Sequence, residues 1–186
     1  MKLVSISAIP PQPWKNGGGL TRELALSTDD HGLIWRLSVA DVASAGPFSE
    51  FPGLKRVLTV IEGQGLLLRH ERGVIKAPKG EPVRFDGDLA IDCDLIGGAV
   101  RDFNLIYDPA RARMDVAPLA AGLHEARGLG LLAIAGACDV GGFGAVPPGS
   151  FLFFESDEPQ RIGVNGAALL VTRDQARDNS PATAFR

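Results

Sequence analysis

The chain is poor in the residues on which several familiar chemistries depend. Cys93 and Cys138 are its only cysteines, with no CxxC spacing between them, so neither a disulfide framework nor a thiolate zinc site is available from sequence. The three histidines, His31, His70 and His124, stand alone, with no HxH or HExxH pattern. His70 and Glu71 are adjacent, and on a strand they point to opposite faces, so they cannot share an ion. Basic residues are not in excess. Lys and Arg total 19 against 22 for Asp and Glu, a formal charge of -3, which leaves no positive field for nucleic acid or an anionic membrane. No apolar run approaches the roughly 18 residues of a membrane helix. The opening MKLVSISAIPPQPW breaks its apolar character with serines and prolines, unlike a signal peptide. A cytoplasmic, reducing location is expected, with no metal or other cofactor.

Nucleophilic motifs are missing too. No GxSxG elbow occurs, and Cys93 lies between Asp92 and Asp94, carboxylates that raise a thiol pKa rather than lower it. Acid and base pairs among Glu23, Glu62, Asp86, Asp88 and Asp102 have no spacing that selects one of them.

What is present is a β pattern. Among 186 residues, 45% are apolar, enough for a real core, and 23 glycines and 13 prolines punctuate short runs rich in Val, Ile, Leu and Phe. This pattern predicts an all-β fold of sandwich, jelly-roll or barrel type. Expected strands are 21–26 and 33–42, paired as a hairpin across the polar turn 28–32, then 83–85, 89–92, 103–107, 131–135, 151–155 and 167–172. Two further hairpins are expected: LTVIE with LLLRH across Gly63, Gln64 and Gly65, and RIGV with AALLVTR across Asn165 and Gly166. Residues 109–127 have some helical character, interrupted by Pro118 and Gly122, and allow at most one short helical turn. A composition shift near 115–128 marks a seam between two β units, approximately 1–115 and 116–186. The last segment, ARDNSPATAFR, reads as a loosely held tail, and 43–56 as a compact loop pinned by Phe48 and Phe51.

Two groups of residues could bind a small molecule. The stretch Trp14, Lys15, Asn16, Gly17, Gly18, Gly19 is either a tight turn beside a packed tryptophan or a glycine-lined anion site; it is not a Walker loop, because Lys15 precedes the glycines. Strand alternation puts Arg36 and Ser38 on one face, Arg56 on a face with Leu58 and Val60, and Asp102 with Asn104. In a closed β structure these faces converge, so Arg36, Arg56, Asp102 and Asn104 could line one cavity with Lys15 and Asn16 at its mouth. Arginine reads carboxylates through its planar fork, so a small acid suits such a cavity. The plainer alternative is that each arginine pairs with a surface carboxylate.

PWKNGGGLTREL, then WRLSVADVASAGPFSEFPGLKRVLTVIEGQGLLL, FDGD and GGAVRDFNLIYD together resemble the HutD/Ves family of bacterial proteins, over about residues 13–108. The resemblance implies a bicupin, two small antiparallel β-barrels in one chain, that binds rather than catalyses. It implies an acidic intermediate of histidine degradation as ligand, N-formylglutamate or urocanate, and a role limiting expression of that pathway. Transferred to this sequence, the ligand-binding candidates are Trp14, Lys15, Asn16, Arg36, Ser38, Arg56, Asp102 and Asn104. Three alternatives stand beside this reading: a metal-free enzyme with Glu23 or Asp102 as base, an interaction module docking through Phe48 and Phe51, and the stress-related role that resemblance to the Ves branch implies. The expected partner is a small acidic metabolite, with a second copy of the chain permitted.

Overall fold

The short apolar runs become strands throughout residues 1–174, the part of the chain that the computed structural model describes. In chain order these are β1 (Lys2–Ser5), a single 3-10 turn (Ile6–Ala8), β2 (Gln12–Pro13), β3 (Gly19–Asp29), β4 (Gly32–Val42), β5 (Gly46–Pro47), β6 (Lys55–Glu62), β7 (Gly65–His70), β8 (Gly73–Pro78) and β9 (Val83–Asp86). They continue as β10 (Asp92–Ile96), β11 (Val100–Tyr107), β12 (Arg113–Ala126), β13 (Gly130–Ala135), β14 (Cys138–Val140), β15 (Gly144–Val146), β16 (Ser150–Phe153) and β17 (Gln160–Asp174). No helix among the described residues is long and apolar enough to cross a membrane. The expected tail 176–186 lies outside the described residues.

The chain divides into two compact units, one built from Pro10–Arg113 and one from Met1–Ile9 with Met114–Asp174. The division falls just before the expected seam. It also transfers the first nine residues to the later unit, where β1 pairs antiparallel with β16.

In the Pro10–Arg113 unit, a six-stranded sheet in the order β2-β3-β4-β11-β6-β9 faces a four-stranded sheet in the order β5-β10-β7-β8. Period-2 alternation decides which side chains meet between them. Val42, Leu58, Val60 and Phe85 from the larger sheet pack with Leu66, Leu68, Ala77 and Cys93 from the smaller one. On the opposite face of the larger sheet Trp35, Leu37, Val39, Phe103 and Leu105 are fully buried. Both faces are therefore largely apolar, and on the inner face Arg36, Ser38, Arg56, Asp102 and Asn104 form a polar cluster.

The β3–β4 hairpin forms as the sequence predicts, turning at Asp30 and His31. The expected hairpin across Gly63 and Gly65 does not. β6 pairs with β11 and β9, whereas β7 pairs with β10 and β8, so this connection carries the chain from one sheet to the other. Its geometry demands glycine: Gly63 has φ +92, and an added Cβ would lie 2.8 Å from the Ala99 carbonyl oxygen. A glycine turn and a glycine sheet crossing look alike in sequence, because both need positive φ.

In the other unit, β1, β16, β13, β17, β14 and β15 hydrogen-bond in that order, and β12 also pairs with β17. The expected hairpin at Asn165 and Gly166 is absent here as well. β17 runs unbroken from Gln160 to Asp174 and changes partner at this point, pairing with β14 through residues 162–164 and with β13 from Ala167 onward. A two-residue type I′ turn needs positive φ at both positions, and neither Asn165 nor Gly166 has it. Gly166 instead permits close approach of strand β13 at its register shift between Ala133 and Ala135. The segment with helical character is strand β12, whose Met114 and Val116 alternate inward and are buried. Its apolar spacing near 114–116 is two, and the chain before it makes one short turn, where the Ala112 amide donates to the Asp108 carbonyl, within what the sequence allowed.

Candidate ligand-binding site

Where the inner face of the six-stranded sheet turns polar, it lines a partly open cavity of about 210 Å³ inside the Pro10–Arg113 unit. Register explains the assembly. Asp102, Asn104 and Ile106 of β11 stand opposite Ala40, Ser38 and Arg36 of β4, and on the other side opposite Val60, Leu58 and Arg56 of β6. Three adjacent strands thus deliver alternate side chains to one wall. Trp14, Phe48, Phe51, Gln12 and Thr21 also line it.

Arg56 is the centre of the site. It is 6% exposed, and its guanidinium lies 5.5 Å from the ring centre of Phe48, 5.4 Å from that of Phe51 and 5.1 Å from that of Phe85. Its hydrogen bonds go to the Asn104 side-chain oxygen at 2.9 Å and the Ser49 carbonyl at 3.3 Å. Both acceptors are neutral. Burial lowers the Arg56 pKa to about 10, opposed by attraction to Asp102 and reinforced by Arg36, and the group remains a cation at neutral pH. A buried cation normally has a carboxylate in direct contact; among the described residues Arg56 has an amide there instead, and its Nε has no hydrogen-bond partner.

The amide links Arg56 to a buried acid. Asn104 accepts from Arg56 through its oxygen and donates through Nδ2 to Asp102 Oδ1, which fixes the orientation of the amide. Asp102 is 1% exposed and its Oδ2 has no hydrogen-bond partner among the described residues. Burial between Ala40 and Val60 pushes its pKa up to about 7; Arg56 pulls it down, Asp41 pushes it further up and the Asn104 hydrogen bond lowers it. An ordinary aspartate titrates near 3.9. The folded protein therefore holds a proton that the unfolded chain has released between about pH 4 and 7, so this group's contribution to stability is complete below the unfolded value and is lost as pH rises through about 7. Denaturant unfolding at pH 5 and pH 8 should show the loss in the native sequence and a smaller loss in Asp102→Asn. An equal loss in both would remove Asp102 as its cause. Asp41 acts in a separate window, because Arg101 and Arg22 outweigh its burial and hold its pKa low; its contribution is lost only below the ordinary aspartate range.

The other sequence candidates fall into place around this centre. Arg36 lines the cavity but has a partner, with its Nε 3.0 Å from Glu23 Oε2. Ser38 lines the cavity and is buried. Trp14 donates from its indole to Thr21 at 2.7 Å and meets Phe48 edge-on, with ring centres 5.7 Å apart. Lys15 and Asn16 are exposed and outside the lining. Asn16 secures the glycine run by accepting from the Gly18 amide at 3.0 Å and donating to the Pro47 carbonyl at 3.3 Å. Gly17 donates its amide to the Trp14 carbonyl, so this stretch is the tight turn beside a tryptophan. Phe48 faces Arg56 and is 9% exposed, which leaves it unavailable to dock another chain. Asp86 pairs with Lys55, Asp88 accepts from the Gly53 amide and Glu62 pairs with Arg101. Cys93 is buried, and burial with Asp102 and Asp94 nearby pushes its thiol up to about 12. No group of three or more potential metal-binding side chains comes together among the described residues.

A family model described as HutD matches residues 7–170. The chain belongs to the HutD family. A HutD-family relative from Pseudomonas putida, an uncharacterized 21.2 kDa protein in the hutC 3′ region, is 40% identical over 124 residues, 61% of each chain. Protein Ves of Citrobacter koseri is 32% identical over 149 residues, 76% of each chain. Among solved structures, HutD from Pseudomonas fluorescens SBW25 superposes with a TM-score of 0.81 at 28% identity, covering 93% of this chain and 98% of that one. More distantly, Escherichia coli protein Ylba shares the fold, with a TM-score of 0.70 at 12% identity over 92% of this chain and 90% of that one. The all-β architecture expected from the sequence is thus shared along almost its whole length with the HutD structure.

Proposed function

We propose that the Arg56 cavity binds a small carboxylated metabolite and that the protein works as a binding protein of the histidine-utilisation system. The carrying observation is a buried guanidinium whose direct partners are both neutral, in the wall of a partly open cavity. An anion there supplies a direct counter-charge, which Asp102 provides only through the Asn104 amide, and a hydrogen bond to a charged group is worth about 1.5–3 kcal/mol. The cavity, at about 210 Å³, is smaller than the roughly 300–1,000 Å³ of pockets for drug-sized ligands, which favours a compact metabolite. Ser38, Thr21 and Gln12 offer further hydrogen bonds for its second polar group.

The ligand is an acidic intermediate of histidine degradation, N-formylglutamate or urocanate, a reading that membership of the HutD family and the hutC-region relative support. In this reading the chain is a cytoplasmic bicupin, each unit being one cupin barrel and the Pro10–Arg113 barrel carrying the ligand. Calorimetric titration with N-formylglutamate, urocanate, glutamate and histidine tests it. Saturable one-to-one binding of at least one of the carboxylates is expected; no heat and no thermal shift with any of them would overturn the proposal. The enzymatic alternative rests on Asp102, a buried acid with a pKa near 7, and it predicts a new product in the same mixtures.

A further inference from the structure

We infer that filling the Arg56 cavity with an anion is coupled to uptake of one proton by Asp102, so that the site holds its ligand more weakly as the medium becomes alkaline. This deepens the binding reading above and rests on it. The geometry behind it is the chain Arg56–Asn104–Asp102, one amide bridging a cation and an acid in the same wall of the cavity. The empty site has a single buried counter-charge for Arg56, and it is Asp102, acting through that amide. A carboxylate arriving at Arg56 takes over the role. Two anions would then lie close to one buried cation, and a second like charge so near raises the proton affinity of the first.

The remaining groups around Asp102 leave it no other outlet. On β4, Asp41 is a further negative charge and raises its proton affinity, while Arg36 is occupied by Glu23 of β3. On β10, the Cys93 thiol remains neutral and offers no charge. On β6, Arg56 is the cation being contested. Asp102 Oδ2 has no hydrogen-bond partner among the described residues, so the acid has an oxygen free to receive the proton. The step balances simply: protein, carboxylate ligand and one solvent proton give a complex in which Asp102 is the neutral acid. The empty protein already titrates in the neutral range, which sets the window: uptake is small near pH 6 and approaches one proton near pH 8.5. Above neutrality the dissociation constant should rise toward tenfold per pH unit, the slope of one linked proton.

The test is titration of the full-length protein with N-formylglutamate at pH 8 in buffers of differing ionisation enthalpy, such as phosphate and Tris. The expected result is a binding heat that varies linearly with buffer enthalpy, its slope giving between half and one proton taken up, and no such slope in Asp102→Asn. Binding with the same heat in every buffer would overturn the coupling while leaving the binding site intact. Absence of binding of N-formylglutamate, urocanate and glutamate alike to native protein at any pH would overturn both. The native-protein slope stands by itself if Asp102→Asn does not fold, and its pH dependence, greater at pH 8 than at pH 6, separates Asp102 from groups that titrate elsewhere.

Discussion

Arg56→Met should weaken binding of N-formylglutamate by about a hundredfold or more. A carboxylate on a guanidinium gains two charge-assisted hydrogen bonds, each worth about 1.5–3 kcal/mol where water is excluded, and every 1.4 kcal/mol is tenfold in affinity. Methionine retains the apolar contacts to Phe48, Phe51 and Phe85 while removing the buried charge, so the variant should remain folded and its failure to bind is interpretable. Arg56→Lys keeps the charge and loses the planar fork; it should recover only part of the affinity. Lys15→Ala should change affinity little, because Lys15 is exposed and outside the cavity. Calorimetry on the three variants makes the comparison. Loss in Lys15→Ala with retention in Arg56→Met would place the ligand elsewhere.

The second large effect concerns the other unit and stability. Gly166→Ala should lower stability by about 3 kcal/mol, at the severe end of overpacking, and melting temperature by roughly 6–12 °C for a chain of this size. A Cβ at position 166 would lie 1.9 Å from the Ala135 carbonyl oxygen and 2.7 Å from its carbonyl carbon. The obstruction is backbone, which cannot rotate aside as a side chain does. Differential scanning calorimetry of the two proteins reads the shift. An unchanged transition would mean that β13 and β17 separate readily at this point.

Gly166 also shows where sequence reading stopped. Asn-Gly between two apolar runs is the strongest local hairpin signal, yet the same pair serves a strand that exchanges partners and needs a missing side chain for close packing. Local pattern reports that glycine is required; only the neighbouring strand reveals why. The Gly63 crossing is the same case. The alternation along β4 and β11 was more informative, because period two is a property of the strand itself. It put Arg36 with Ser38 and Asp102 with Asn104, and the structure brings both pairs, with Arg56, to one cavity.

What alternation does not contain is register between strands. The Arg36–Glu23 pair depends on the register shift between Glu23 and Ala25 in β3. The amide between Arg56 and Asp102 depends on how β6 and β11 slide past one another. Phe48, Phe51 and Phe85 reach Arg56 from a loop and an edge strand, and Gln12 and Thr21 come from the first hairpin of the sheet. Each is an ordinary residue by composition and acquires a role through assembly. Lys15 and Asn16 illustrate the reverse, since charge and glycine neighbours drew attention to a turn whose polar groups largely satisfy one another.

The measurement that reaches the central claim most directly is a crystal structure of the protein with N-formylglutamate at a concentration that saturates its calorimetric signal. The account predicts a carboxylate seated on the Arg56 guanidinium inside the β4–β11–β6 wall. Ligand density at another place, with the Arg56 cavity holding only water, would contradict it.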